Sequence, residues 1–118
     1  MKTHKNLKVW EEAINLVTDI YKQTENFPKS ELYGLANQIR RSSVSISSNI
    51  AEGAARHSDK EFIQFLYIAL GSSSELQTQL IIAENLEFID NDSNELLKSK
   101  LDSISRMLFG LIKKVKSK

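Results

Sequence analysis

No cysteine occurs in the 118 residues, which excludes disulfides, thiolate zinc sites and thiol catalysis. Proline appears once, as Pro28, and glycine four times. Folds made of many strands and tight turns use more of both, so the scarcity favours a few long helices. Long apolar runs are missing too. The most apolar stretch, "FIQFLYIAL" from Phe62 to Leu70, is far short of the roughly 20 residues that cross a bilayer, and no membrane partner is expected. Nor does either sign of charge dominate. Lys plus Arg number 16 against 15 acids, a net of +1, so any basic footprint has to come from distribution rather than total. The opening "MKTHKNLKVWEE" turns acidic before an apolar run develops and does not read as a signal peptide. A cytoplasmic protein is the expectation.

What is present suits an ordinary globular chain, 41% hydrophobic and 26% charged. Its length suits one domain, 1–118, able to bury about two-thirds of its unfolded surface. Apolar residues recur at helical steps in four segments. The first carries Trp10, Ala13, Ile14, Val17, Ile20 and Tyr21, and stops near Pro28. Ser30 is the expected cap of the second, which runs through Leu32, Leu35, Ile39, Ser43, Ile46, Ile50 and Gly53. Ser58 followed by Glu61 forms a capping box for the third, with Phe62, Phe65, Leu66, Ala69, Ser73, Leu76, Leu80 and Ala83. Asp92 and Glu95 make a similar pair ahead of Leu97, Leu101, Ile104, Leu108, Leu111 and Val115. Helices at about 8–26, 31–55, 59–84 and 93–116, joined by short loops, predict an all-α, antiparallel up-and-down four-helix bundle.

The second segment, "IRRSSVSISSNIAEGAARHS", puts small and polar groups along a helix that must bury one face. Ser42, Ser43 and Gly53 there, with Ala69, Gly71, Ser72 and Ser73 on the third segment, fit a closely packed helix pair whose hydroxyls bond to carbonyls three or four residues back. Arg40, Arg41, Asn49, Glu52 and Glu75 fit a second reading, a polar network or a subunit interface. Arg41, Ser45, Ser48 and Glu52 share one flank.

"LKVWEEAINLV", "FPKSELYGLANQIRRSSVSISSNIAEGAAR" and "EFIQFLYIALGSSSELQTQL", in that order, resemble the four-helix-bundle family encoded in intervening sequences of bacterial 23S ribosomal RNA genes. The likeness spans about Leu7 to Leu80, and "QIRRSSVSI" and "SNIAEG" are its specific strings. It implies an up-and-down bundle that assembles into a homopentameric ring. A relative, the accessory protein of diversity-generating retroelements, implies a ring that binds a reverse transcriptase and nucleic acid. The family brings no catalytic residues. Ser47 stands where the family often has Pro, so no proline kink is imposed on the second helix. "IIAENLEFIDNDS" replaces a shorter, glycine-containing turn, which predicts a longer and more acidic loop.

Up-and-down topology sorts the charges between the two ends. Lys2, Lys5, Lys8, Arg56, Lys60, Lys113, Lys114, Lys116 and Lys118 collect at the end holding both termini, against Glu11, Glu12, Asp59 and Glu61. The other end holds Glu25, Glu31, Glu84, Glu87, Asp90, Asp92 and Glu95 against four lysines, Lys22, Lys29, Lys98 and Lys100. In a ring the basic ends lie on one side and form a candidate surface for structured RNA or DNA, led by phosphate contacts. The plainer account is that lysines at a helix C-terminus complement its dipole. Trp10, Tyr21, Phe62 and Tyr67 are further candidates for association surfaces, with a protein partner as the alternative ligand.

Chemistry is absent from the pattern. Neither His4 nor His57 follows a Glu by three residues, as a di-iron bundle needs. "GSSSE" lacks the strand-turn-helix setting of a nucleophile, and "GAARHSDK" lacks a phosphate-loop ending. No catalytic residue, metal or cofactor is expected, and the chain is read as a non-enzymatic binding or assembly protein. Arg41→Glu is predicted to break either the polar network or the subunit contact, read as a lower melting temperature or a changed assembled mass.

Overall fold

The computed structural model describes residues 4–118. α1 (Lys8–Thr24), α2 (Leu35–Ala54), α3 (Asp59–Asn85) and α4 (Asn91–Lys116) follow in order, with single 3-10 turns at His4–Asn6 and Lys29–Glu31. Among the described residues there is no strand. Each helix packs on the next, and α4 packs back on α1. That is the cyclic order of an up-and-down four-helix bundle, and it extends over 46 × 23 × 19 Å. The α2–α3 contact is the most extensive.

Local chemistry sets each start. At α3, Ser58 Oγ accepts from the Glu61 N–H and donates back to its carboxylate, both at 3.2 Å. That bears out Ser58 as the cap of α3 with Glu61 as its partner, the carboxylate meeting the hydroxyl of Ser58 rather than its N–H. At α4 the cap is Asp90 and not the expected Asp92–Glu95 pair, and the helix begins at Asn91. Asp90 accepts from the Ser93 N–H at 2.7 Å and from its hydroxyl at 3.1 Å. Those bonds hold its carboxyl below the usual carboxylate value. Ser30 is not a cap either. It lies in the 3-10 turn after Pro28, and α2 begins only at Leu35. There the Glu31 carboxylate accepts from the Leu35 N–H at 3.0 Å, from three residues ahead of the cap position at Gly34. Leu32 falls off the stripe and is exposed.

The buried faces carry the expected spacing, with two rotations. On α1 the inward residues are Val9, Ala13, Leu16, Ile20 and Thr24. Trp10 and Val17 are half-buried, while Ile14 and Tyr21 are exposed. Positions 9, 13, 16, 20 and positions 10, 14, 17, 21 have the same spacing and are both rich in apolar residues. Periodicity alone cannot choose between them. On α4, Ile112 takes the buried place expected for Leu111, which packs at the margin. Leu16, Ile20, Ile39, Ile46, Ile50, Leu66, Leu76, Leu80, Ile104 and Leu108 fill the centre with almost no exposure. Truncating one such residue to Ala costs about 2–5 kcal/mol in comparable cores. One buried polar side chain ties α4 to α3. Asn94 donates to the Leu80 carbonyl at 3.1 Å and to Glu84 Oε1 at 2.7 Å. This amide and that of Asn91 draw the Glu84 carboxyl below its ordinary value.

α3 ends in a Schellman turn. The Phe88 N–H bonds the Ala83 carbonyl and the Glu87 N–H bonds the Glu84 carbonyl, both at 2.9 Å. Glu87 holds φ at 61°, a left-handed conformation that disfavours side chains and suits glycine. Glu87→Gly is therefore expected to raise stability by about 0.5–1 kcal/mol, read as a higher urea midpoint at unchanged slope. Gly53 gives the opposite case. A Cβ there would stand 2.7 Å from Phe65 Cβ and 3.3 Å from the Phe62 carbonyl oxygen. Neither atom is the free end of a flexible chain. Ala improves helix propensity by about 1 kcal/mol, yet prising α2 from α3 outweighs it. Gly53→Ala should lose about 1–2 kcal/mol in the same urea titration.

Candidate nucleic-acid interface

The start of α1, the end of α2, the start of α3 and the end of α4 meet at one end of the bundle. Lys2 lies outside the described residues. Lys5 and Lys8 are exposed at the entry to α1, Arg56 follows α2, and Lys60 sits in the first turn of α3. Lys113, Lys114 and Lys116 occupy the last turn of α4, where cations suit the helix dipole. Two side chains are held by aromatic rings. The Arg56 guanidinium stands 4.7 Å from the Phe65 ring centroid. Lys116 donates to the Tyr67 hydroxyl at 3.1 Å and lies 5.4 Å from that ring's centroid.

Among the described residues the ion pairs are Lys98–Glu95, Lys100–Asp19 and Arg106–Asp102. None draws on the cations of this end. Glu11, Asp59 and Glu61 sit in the first turns of α1 and α3, where acids suit the dipole. Glu52, near the end of α2, adds an acid to this end. The cations outnumber these acids and face water.

The second group of candidate residues divides. Ser42 Oγ donates to Glu75 Oε1 at 3.1 Å across the α2–α3 seam, and Ser45 and Ser72 hydroxyls meet at 2.9 Å. Asn49 Nδ2 donates to the Ser45 carbonyl at 2.8 Å and to its hydroxyl at 3.0 Å. Asn49 and Glu75 thus lie on one seam, each bonded to a serine of α2, Asn49 to Ser45 and Glu75 to Ser42. Ser43 and Ser47 bond the carbonyls three residues back, at Arg40 and Val44. Arg40 turns the other way. Its Nε donates to Thr24 Oγ1 at 2.8 Å and its guanidinium stacks 4.6 Å from the Tyr21 ring centroid, tying α2 to α1. Arg41 and Glu52 are exposed and have no ion pair among the described residues.

Three features were not visible in the sequence. A cavity of about 340 Å³ opens in the basic end, lined by Leu7, Phe62, Leu111 and Val115 with Arg56, His57 and Lys114 at its edge. A second, about 400 Å³, runs between α3 and α4 beside Tyr67, Gly71 and Phe109. Phe109 is 60% exposed. On the opposite side of the bundle, Ile14 and Tyr21 of α1 and Val44 of α2 are exposed. Helical spacing identified the side chains but not the direction in which each stripe faced.

Among the described residues no group of three or more His, Asp or Glu could hold a metal ion, and no helix is long and apolar enough to cross a membrane. Fold and surface together place the chain among the small up-and-down helical bundles. It belongs to the 23S rRNA-intervening sequence protein family, whose sequence profile matches residues 5–110. It is also similar to the crystal structure of a protein with unknown function from the S23 ribosomal protein family of Bacteroides thetaiotaomicron. That likeness has 25% identity and a TM-score of 0.83, and covers 89% of this chain and 98% of the other. No curated protein sequence matches the chain. Neither similarity carries an enzymatic description.

The exposure of Arg41 narrows its prediction. Arg41→Glu should leave the unfolding free energy of the bundle within about 0.5 kcal/mol of wild type, so a changed mass in light scattering would be due to a contact between copies.

Proposed function

We propose that the chain is a non-enzymatic, ring-forming bundle that binds structured RNA or DNA through its basic end. The unpaired cations at that end carry the reading. Lys5, Lys8, Arg56, Lys60, Lys113 and Lys114 come from all four helix ends, and none has an ion-pair partner among the described residues. Neutralising phosphates releases condensed counterions, the main source of affinity for such ligands. No regular row of exposed aromatics is available for stacking a long single strand, so phosphate geometry leads recognition.

Assembly is supported by two unlike faces on opposite sides of the bundle. Ile14, Tyr21 and Val44 form one, and Tyr67, Gly71 and Phe109 form the other. A heterologous pair of faces closes into a ring when the rotation between copies allows it. The family resemblance supports five copies. A ring with parallel bundle axes gathers every basic end on one side and multiplies the field seen by a nucleic acid. Gly71 favours this reading. A Cβ at that position meets nothing within 4 Å in the chain, yet glycine in a helix interior costs about 1 kcal/mol relative to Ala. A glycine left open in this way supports a close approach by another copy.

The exposed aromatic residues of the α3–α4 face favour a second reading, a scaffold that docks a protein partner and takes no nucleic acid. Light scattering at low and high salt, with and without a structured RNA hairpin, separates the two. A mass near five chains that rises with RNA only at low salt supports the ring and its basic face. Affinity should fall by about a thousandfold between about 50 and 200 mM salt if some six phosphates are contacted. The double variant Lys113→Glu with Lys114→Glu should weaken binding more than about tenfold while leaving the mass unchanged. A ring indifferent to RNA at every salt concentration moves the function to a protein partner, and a monomer removes the ring.

A further inference from the structure

We infer that the cavity in the basic end receives one unpaired nucleobase of the bound nucleic acid, so that the preferred ligand is a duplex or hairpin with a single-stranded tail or bulge. This rests on the nucleic-acid reading above and adds to it the class of ligand.

The cavity lies between the end of α2, the start of α3 and the end of α4. Its walls are apolar, formed by Leu7, Phe62, Leu111 and Val115, and its volume of about 340 Å³ is at the small end of ligand pockets, which run from about 300 to 1,000 Å³. A duplex or a folded peptide is too large to enter such a space, whereas one planar base fits it. Phe62 supplies an aromatic surface, and Gly53, which also lines the cavity, lies close against it. The absence of a side chain at Gly53 lets α2 approach so closely that even a Cβ would stand 3.0 Å from Phe62 Cδ1.

Charge is complementary to the same occupant. Arg56 and Lys114 are on the edge of the cavity, and Arg56 is held against Phe65 rather than by an acid. A base entering the cavity brings its own phosphate to that edge. Asp59 is also on the edge. It repels phosphate from its side and can accept a hydrogen bond from an exocyclic amine. Apolar walls alone would serve any hydrophobic ligand, and cations alone any polyanion. A small, largely apolar cavity with guanidinium and ammonium groups at its edge is the combination that a nucleotide satisfies.

The test compares three RNA hairpins at low salt by fluorescence anisotropy: one blunt, one with a short unpaired 3′ tail, and one with the same tail made abasic. Wild-type protein should bind the tailed hairpin about tenfold more tightly than the other two, the size of effect that base–aromatic stacking gives. Ala54→Trp, which fills the cavity from its α2 wall, should erase that preference and keep the affinity for the blunt hairpin. If Ala54→Trp proves to melt below wild type, Phe62→Leu, which keeps apolar bulk without the aromatic face, should reduce the same preference. Equal binding of all three hairpins by wild type overturns the base-receiving cavity and leaves the basic face standing. A preference for the tail that survives both substitutions overturns its location. Failure of all three hairpins to bind overturns the basic-face reading and this inference together.

Discussion

The close approach of α2 and α3 is the constraint on which the rest of the structure depends. Small residues permit it along the seam: Ser42, Ser45 and Gly53 on one helix, Ala69 and Ser72 on the other. Where the helices nearly touch, an added methylene group has no room. Hydroxyls buried at such a seam would be costly without partners, and here they bond either across it or to carbonyls of their own helix. The outer helices then follow. Arg40 anchors α1 through Thr24 and Tyr21, and the paired hydroxyls of Ser73 and Ser105, 2.6 Å apart, join α4 to α3.

That close seam also governs the end of the bundle. Because α2 and α3 meet at Gly53, the turn from Ala55 to Ser58 is short, and Arg56 and His57 emerge beside the last turn of α4. Cations distant in the chain therefore share one surface, and among the described residues none of them is ion-paired to an acid. Their placement in the last turn of α4 also complements the helix dipole. Both effects act at once, and only a salt-dependent ligand distinguishes them.

Much of this was legible from spacing. The inward face of α2, the capping box at Ser58 and Glu61, and the buried line of α3 follow from residue type at fixed offsets. The misses have a common physical origin. Ser30 and Asp92 are good capping residues, but Glu31 reaches the Leu35 N–H from further back, and Asp90 stands immediately before α4 whereas Asp92 is already inside its first turn. Capping depends on where the chain turns, which Pro28 and the Schellman turn at Glu87 decide. Arg40 and Arg41 are neighbours of one type, yet consecutive helical positions point about 100° apart, so one meets α1 and the other meets water.

Sequence by itself determined the class of fold. Four periodic segments with almost no proline or glycine between them have few other ways to bury their apolar stripes. It also determined which end of the bundle is basic, because up-and-down topology sorts charges by their order in the chain. Only the tertiary structure decided which of two equivalent stripes on α1 turns inward, since a three-and-four spacing is satisfied by either and the contact with α2 and α4 chooses. It alone decided that the candidate polar residues of α2 divide between two helix seams and solvent, and that an apolar cavity opens among the lysines. Cavities arise where side chains from separate segments fail to meet, and that distance is set by packing rather than by any local pattern.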